Sequence, residues 1–194
     1  MKMKNYKTPK KILITGASQG LGKHIAEFFL NKGHELIISS SNLEKLKSTF
    51  YELQKINKNK KFSYIQCDIS SEVSVQKLFL SLETNFQFPD ILINCSGIAG
   101  DVNSIGNANI KDWSKSININ LIGTMILMNT YIKSVLSKKI KVKILQLSGG
   151  GATKPLPGLS SYSCSKAGVV RLIENISKEI DNNYININCI APGT

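Results

Sequence analysis

The sequence predicts an α/β fold, a doubly wound parallel sheet of Rossmann type with six strands and helices on both faces. Short apolar segments of strand length alternate with segments whose apolar residues recur at helical spacing. A glycine-rich turn at 15–22 follows the first strand and opens the first helix. No repeat, linker or change in composition marks a second domain, so residues 1–194 are expected to form a single domain.

The first half of the chain contains four of the predicted strands. Gly33 is placed to follow the C-terminus of the first helix, and Asn42 is placed to cap the second. The predicted strands are 11–15, 35–39, 62–67 and 90–95, and the predicted helices run over 20–31, from 43 to about 53, and from 71 to about 82.

The second half of the chain adds two helices that are longer than those before them. The predicted helices are 111–136 and 161–181, the predicted strands are 141–147 and 184–190, and the predicted loops are 97–109 and 148–159. Ligands of doubly wound sheets bind at the carboxyl ends of the strands, where the strand order reverses. The loops after the first, fourth and fifth strands are therefore the expected site.

The composition favours a soluble cytoplasmic protein without a nucleic-acid or membrane partner. The formal net charge is +12, but Arg171 is the single arginine and the lysines are spread along the chain, which is typical of a solvated surface. The apolar runs are far shorter than the ~20 residues of a membrane span. The four cysteines lack metal-site spacing, so buried free thiols and no metal are expected.

The turn after the first strand has the properties of a phosphate-binding turn. Gly16, Gly20 and Gly22 are spaced G-x-x-x-G-x-G, which permits a tight turn, a close approach of the backbone to a pyrophosphate, and close packing of helix on strand. The free N–H groups of the helix N-terminus would then face the anion. In this strand–turn–helix context the glycines predict a dinucleotide site rather than a simple turn.

The end of the second strand bears on the choice of dinucleotide. NAD sites place an acidic residue about 20 residues after the glycine turn, where it binds the ribose 2′-hydroxyl. Here Ser39, Ser40 and Ser41 stand instead, and no carboxylate would repel a 2′-phosphate. We therefore expect NADP(H) rather than NAD(H), with Lys23 and Lys45 as possible phosphate partners.

A tyrosine and a lysine are four residues apart in the predicted helix 161–181. Tyr162 and Lys166 lie one turn apart on the same helix face. An ammonium beside a phenol favours the phenolate, so this tyrosine is suited to exchange a proton with a carbonyl or an alcohol. Taken alone, the pair is more typical of an ordinary amphipathic helix.

In combination, these motifs resemble the short-chain dehydrogenase/reductase family over nearly the whole chain. Residues 15–22 match its TGxxxGxG motif, 94–97 resemble its NNAG motif, 162–166 match YxxxK, and 191–193 match the turn after the sixth strand. The resemblance implies the cofactor-binding residues Gly16, Ser18, Gln19, Gly20, Leu21, Gly22, Ser40, Ser41, Asp68, Ile69, Asn94, Gly97, Tyr162, Lys166, Pro192 and Gly193.

The resemblance also implies a reaction and an assembly. Tyr162 is expected as acid/base, Lys166 as the group that favours its ionisation, and Asn120 as the holder of a water on the proton path. The implied activity is hydride transfer between NAD(P)(H) and a carbonyl or secondary alcohol, as in an NADPH-dependent 3-oxoacyl-type reductase. A dinucleotide-binding sensor or scaffold with little turnover is the alternative. A homodimer or homotetramer through the two long helices, and a C-terminal truncation after 194, are also expected.

One position departs from the family pattern. The family supplies a serine thirteen residues before the tyrosine as donor to the substrate carbonyl, and Gly149 stands there. Ser148 is one place too early and would point to the opposite face of a strand. A re-aimed Ser148, backbone N–H groups, Thr153 or Ser161 remain as candidates, and Ser148 is taken as the catalytic one.

Overall fold

Six parallel strands form a single sheet in the computed structural model, which describes residues 8–56, 61–85, 88–180 and 183–193. The strands are β1 (Lys11–Thr15), β2 (Glu35–Ser40), β3 (Phe62–Gln66), β4 (Ile91–Asn94), β5 (Val142–Leu147) and β6 (Ile185–Ile190). Their order in the sheet is β3-β2-β1-β4-β5-β6, and every pair is parallel. The predicted doubly wound sheet is confirmed, and the strand order reverses between β1 and β4.

Among the described residues, six α-helices connect the strands and cover both faces of the sheet. They are α1 (Gly20–Asn31), α2 (Leu43–Ile56), α3 (Glu72–Asn85), α4 (Ile110–Ile117), α5 (Gly123–Lys138) and α6 (Ser160–Glu179). The bounds of α1 match the prediction, and Gly33 follows it with φ +92°. The Asn42 side chain caps α2 by accepting a hydrogen bond from the Lys45 amide. The predicted end of the last helix at Asp181 lies outside the described residues.

The prediction of one long helix over 111–136 is wrong in one respect, because the helix is interrupted. A π-helical turn, Asn118–Ile122, separates α4 from α5. The hydroxyl of Thr124 donates a 2.7 Å hydrogen bond to the Asn120 carbonyl within this turn. π-Helical turns inside α-helices frequently occur at functional sites, and this one brings Asn120 to the carboxyl edge of the sheet.

Two apolar cores lie on opposite faces of the sheet, because neighbouring residues of a strand point to opposite sides. In β1, Leu13 packs into the core under α3, α5 and α6, whereas Ile12 and Ile14 pack into the core with α1 and α2. All three side chains have 0% exposure. Strands buried on both faces explain why β1 reads as a continuous apolar run.

One helical segment among the described residues, Ile110–Lys138, is long and apolar enough to cross a membrane by length and composition alone. Part of its apolar surface is buried against the sheet. Leu127, Met128, Tyr131 and Val135 each have 0% exposure and pack in the core beneath α5.

A buried asparagine at the end of β4 joins the central strands. Its Oδ1 accepts hydrogen bonds from the Thr15 hydroxyl at 2.6 Å and the Ser96 amide at 3.1 Å. Its Nδ2 donates to Gln146 Oε1 at 2.8 Å and Thr124 Oγ1 at 3.2 Å. This residue, Asn94, has 0% exposure, and its side chain connects β1, β4, β5 and α5. The predicted contact of Asn94 with a cofactor stays a prediction.

We expect Asn94→Ala to destabilise the protein by about 3 kcal/mol, because it leaves several buried polar groups without partners. Urea unfolding followed by circular dichroism measures the loss. The matched control is Asn107→Ala, since the exposed Asn107 side chain donates a single 3.2 Å bond to Ser104 Oγ. The control should stay within about 0.5 kcal/mol of the wild type. Equal losses in the two variants would contradict the connecting role of Asn94.

Candidate active site

Two adjoining cavities lie along the carboxyl edge of the sheet, where the strand order reverses. The larger has a volume of about 540 Å³ and the smaller about 440 Å³, both within the usual range of ligand pockets. We call them the turn cavity, which contains the 16–22 turn, and the tyrosine cavity, which contains Tyr162. Both are lined by Leu21, Cys95, Gly97 and Ile98. The two cavities therefore adjoin along these residues, and together we call them the cleft.

Most of the predicted cofactor-binding residues line this cleft. The turn cavity holds Gly16, Ser18, Gln19, Gly20, Leu21, Gly22, Ser40, Ser41, Asp68, Ile69 and Gly97, and the tyrosine cavity holds Tyr162, Lys166, Pro192 and Gly193. Asn94 is the exception described above.

The glycine turn is fixed against the segment that follows β4. Gly16 has φ +68°, and a Cβ at this position would lie 2.6 Å from the Ser96 amide nitrogen, so a side chain is excluded. A Cβ on Gly22 would overlap the Gly16 carbonyl, which confirms close packing of α1 on the turn. A Cβ on Gly20 would meet nothing within 4 Å, so the backbone there is open to the cleft. The turn fits a pyrophosphate at the N-terminus of α1.

Polar side chains surround the end of the turn cavity beside β2. The hydroxyls of Ser18 and Ser40 lie 2.9 Å apart, and Lys45 Nζ donates to Gln19 Oε1 at 3.2 Å. Lys45 lines the cavity and supplies a positive charge at its rim. The other predicted phosphate partner, Lys23, instead pairs with Glu52 at 2.7 Å and is not among the lining residues.

The opposite wall of the turn cavity follows β3. Asp68 is exposed, and its Oδ1 accepts hydrogen bonds from the Ser70 amide at 3.0 Å and the Ser70 hydroxyl at 2.7 Å. Ile69 is buried beside it, with 4% exposure. This wall therefore offers an oriented carboxylate next to an apolar surface, which suits a heterocycle that carries an amino group.

The lysine of the tyrosine cavity is buried with its ammonium held by the sheet. Lys166 has 5% exposure, and its Nζ donates to the Leu147 carbonyl at 3.2 Å. The same Nζ lies 5.7 Å from the centroid of the Tyr162 ring. Burial lowers the pKa of the Lys166 ammonium, and the nearby Cys189 and Cys95 oppose part of that shift. The structure thus brings Tyr162 and Lys166 together in one cavity, as their spacing predicts.

Asn120 reaches the site through the backbone of the loop after β4. Its Oδ1 accepts from the Ile98 amide at 2.8 Å, and its Nδ2 donates to the Ile98 carbonyl at 2.9 Å and to Ser165 Oγ at 2.9 Å. The side chain has 1% exposure and does not line either cavity. Asn120 therefore joins the loop to α6, and the predicted water on it stays a prediction.

The hydroxyls predicted to replace the missing serine are engaged elsewhere or remote. Ser148 borders the tyrosine cavity, but its hydroxyl donates to the Lys166 carbonyl at 2.9 Å. Thr153 Oγ1 donates to the Gly150 carbonyl at 3.0 Å. Ser161 has 0% exposure and lines neither cavity. In this structure the Ser148 hydroxyl is bonded to α6, and its role as the catalytic donor stays a prediction.

Several lining residues were missed in the sequence. They include Cys95 and Ser96, which follow β4, and Lys115 and Ile119, which lie on the helical segment before Asn120. The position after β4 was a usable signal, because parallel strands present their carboxyl ends on one edge. Lys115 and Ile119 are four residues apart and share a helix face, but the sequence does not show that this face borders the cleft.

Comparisons with known proteins agree with this geometry. The sequence profile described as short chain dehydrogenase matches residues 10–194. The 3-oxoacyl-[acyl-carrier-protein] reductase FabG of Rickettsia prowazekii is 33% identical over 186 residues, which cover 96% of this chain and 73% of that protein. Glucose 1-dehydrogenase 2 of Bacillus subtilis is 28% identical over 187 residues, which cover 96% of this chain and 72% of that protein.

A solved structure shows the same fold. A short chain dehydrogenase from Mycobacterium smegmatis superimposes with a TM-score of 0.89 and 21% identity, covering 98% of this chain and 78% of that one. The likeness therefore extends to the whole sheet and its helices.

Three of the four cysteines are shielded to different degrees. Burial raises the pKa of Cys67 to about 11 and that of Cys95 to about 12, and it also raises the pKa of Cys189. The expectation of buried thiols is wrong for Cys164, which is exposed on α6. A thiol of pKa about 12 is roughly one part in 10⁴ thiolate at pH 8.

We expect one fast phase when the native protein reacts with a thiol-specific disulfide reagent at pH 8, because the thiolate is the reacting form. That phase belongs to Cys164, and Cys164→Ser should remove it. The three remaining thiols should react only slowly until the protein is unfolded. A fast phase that persists in the variant would show that a cleft cysteine is accessible and ionised.

Proposed function

Since this chain belongs to the short-chain dehydrogenase family, whose members are oxidoreductases of alcohol and carbonyl groups, we propose that it is an NADPH-dependent reductase of 3-oxoacyl-type carbonyl substrates. The observation that carries the proposal is the cleft made by the two adjoining cavities. The glycine turn opens into one end of it, and Tyr162 and Lys166 line the other. A dinucleotide along this cleft would have its pyrophosphate at α1 and its far end beside the tyrosine.

The two side chains of the tyrosine cavity supply the proton chemistry. A nicotinamide held in this cavity would supply the hydride that the carbonyl carbon receives. Tyr162 donates its hydroxyl proton to the carbonyl oxygen, which completes the alcohol. The Lys166 ammonium, held by the Leu147 carbonyl, stabilises the phenolate that remains. The phenolate then regains a proton from solvent.

The preference for NADPH rests on the end of the turn cavity beside β2. Ser40, Ser41 and Asn42 line this end, and no carboxylate stands among them. Lys45 is within reach of the same space through its contact with Gln19. An ammonium and hydroxyl groups stabilise a 2′-phosphate, whereas a carboxylate would repel it.

The 3-oxoacyl class is supported by the relatives and by the walls of the tyrosine cavity. One similar protein is a 3-oxoacyl-[acyl-carrier-protein] reductase. The cavity is walled by Leu21, Ile98, Ala99 and Leu147, which suit an apolar chain beside the reacting carbonyl. Association through α5 and α6 into a dimer or tetramer stays a prediction.

We expect Tyr162→Phe to lower kcat for NADPH-dependent reduction of a 3-oxoacyl thioester by roughly 10²–10⁴-fold, because it removes the proton donor. NADPH absorbance measures the rate, and fluorescence titration should give an unchanged Kd for NADPH. The matched control is Tyr51→Phe, since Tyr51 is exposed on α2 and keeps its ring contact with Phe50. An unaffected rate in Tyr162→Phe would contradict the mechanism.

We expect Lys45→Ala to weaken NADPH binding by roughly tenfold and to leave NADH binding unchanged, because only NADPH carries the phosphate that the ammonium would meet. Calorimetry with both cofactors measures the two constants. Lys47→Ala removes the same charge from the same helix, but Lys47 does not line the cavity. Equal effects of the two variants would indicate a general field rather than a phosphate contact.

A second candidate function is favoured by Gly149 and by the engaged hydroxyl of Ser148. It is a dinucleotide-binding protein with little turnover, acting as a sensor or scaffold. Tight binding of NADPH without turnover on a panel of aldehydes, ketones and 3-oxoacyl thioesters would favour this candidate over the reductase.

A further inference from the structure

The hydroxyl of Tyr162 lies against the backbone of Gly149. A Cβ built on Gly149 would overlap the tyrosine hydroxyl, and it would lie 3.1 Å from Cζ of the ring and 3.6 Å from Cε1. The backbone of Gly149 is extended, with φ 177° and ψ 171°, so the conformation itself does not require glycine. The tyrosine, and not the backbone, is what excludes a side chain at this position.

The ring of Tyr162 also lies close to Gly151, two residues further along the same turn. A Cβ on Gly151 would lie 3.1 Å from Cδ1 of the ring and 2.8 Å from Ser163 Oγ. The ring therefore packs along the backbone from Gly149 to Gly151. A side chain added at Gly149 would have to displace the phenol from this position against the backbone.

The neighbouring hydroxyls of Ser148 and Thr153 form hydrogen bonds with other groups than the Tyr162 hydroxyl. Ser148 donates to the Lys166 carbonyl and Thr153 donates to the Gly150 carbonyl. In contrast, the Tyr162 hydroxyl forms no hydrogen bond with any residue that the structure describes. Ser161 and Ser163 also have hydroxyls without a partner, but both are buried and neither residue lines the tyrosine cavity. Tyr162 lines that cavity, so its hydroxyl can meet a substrate oxygen there.

We propose that Gly149 is a positioning residue, whose missing side chain leaves the space that the Tyr162 hydroxyl occupies. Resting on the proposed function, the inference is that Tyr162 alone orients the substrate oxygen and then protonates it. No serine hydroxyl assists it. The proton of the Tyr162 hydroxyl passes to the carbonyl oxygen of the substrate as a hydride reaches the carbonyl carbon. Restoring a serine at 149 would therefore remove activity.

The test is a double-mutant cycle read by thermal unfolding, which does not depend on turnover. Gly149→Ala should lower Tm by roughly 3–8 °C in the wild-type background, because overpacking a filled site is destabilising. In the Tyr162→Phe background the overlapping oxygen is absent, so the shift should be less than half as large. Equal shifts in the two backgrounds would overturn the inference.

The matched control is the next residue along the chain. A Cβ on Gly150 would meet nothing within 4 Å, so Gly150→Ala should change Tm by less than about 2 °C. A loss as large as that of Gly149→Ala would mean that the glycine run needs its flexibility, and it would overturn the role given to the tyrosine contact.

Activity supplies the second readout. Gly149→Ser and Gly149→Ala should each lower kcat for the 3-oxoacyl thioester at least tenfold, while KM for NADPH changes less than twofold. A merely structural role would change both constants through loss of folded protein. A rate for Gly149→Ser equal to or above that of the wild type would overturn the inference. Absence of turnover in the wild type would instead contradict the proposed function, and the Tm cycle separates the two failures.

Discussion

The buried amide of Asn94 is the interaction on which the site depends. It stands where the strand order reverses, with β1 on one side and β5 on the other. One amide group satisfies the hydroxyl of Thr15, the amide of Ser96 and the side chain of Gln146. Because buried polar groups without partners are costly, these bonds fix the relative heights of the strand ends. The glycine turn leaves β1 one residue after Thr15, so its position is set by the same bonds.

The same network extends to the buried lysine. Gln146 donates from Nε2 to the Leu147 carbonyl at 2.8 Å, and that carbonyl also accepts from Lys166 Nζ. A charged ammonium at 5% exposure loses much of its hydration, which is unfavourable unless a fixed dipole replaces the water. Here the Leu147 carbonyl provides this dipole, and it accepts hydrogen bonds from both Gln146 Nε2 and Lys166 Nζ. Burial of the Lys166 ammonium is unfavourable, but the bond to this carbonyl keeps the charge at a defined distance from Tyr162.

The fold was predictable because local signals and the sheet agree. The helical spacing of α1, the cap at Asn42 and the glycine at 33 each mark an element end, and the structure places those ends accordingly. The π-helical turn was not predictable in this way. Within it, Asn120 bonds to the Ile98 backbone, a contact between residues 22 positions apart that leaves no period in the sequence.

The candidate site was predictable in position but not in side-chain direction. Motif spacing placed Tyr162 and Lys166 in one cavity, since residues four apart share a helix face. Spacing said nothing about Asn94, whose side chain points into the sheet, or about Ser148, whose hydroxyl meets a helix carbonyl. The directions of these two side chains depend on which buried polar groups need a hydrogen-bond partner. Those groups come together only when the strands assemble into the sheet. Gly149 was likewise not predictable from spacing. In the sequence it marks the absence of a serine hydroxyl, whereas in the structure the Tyr162 hydroxyl occupies the space that a side chain at 149 would need.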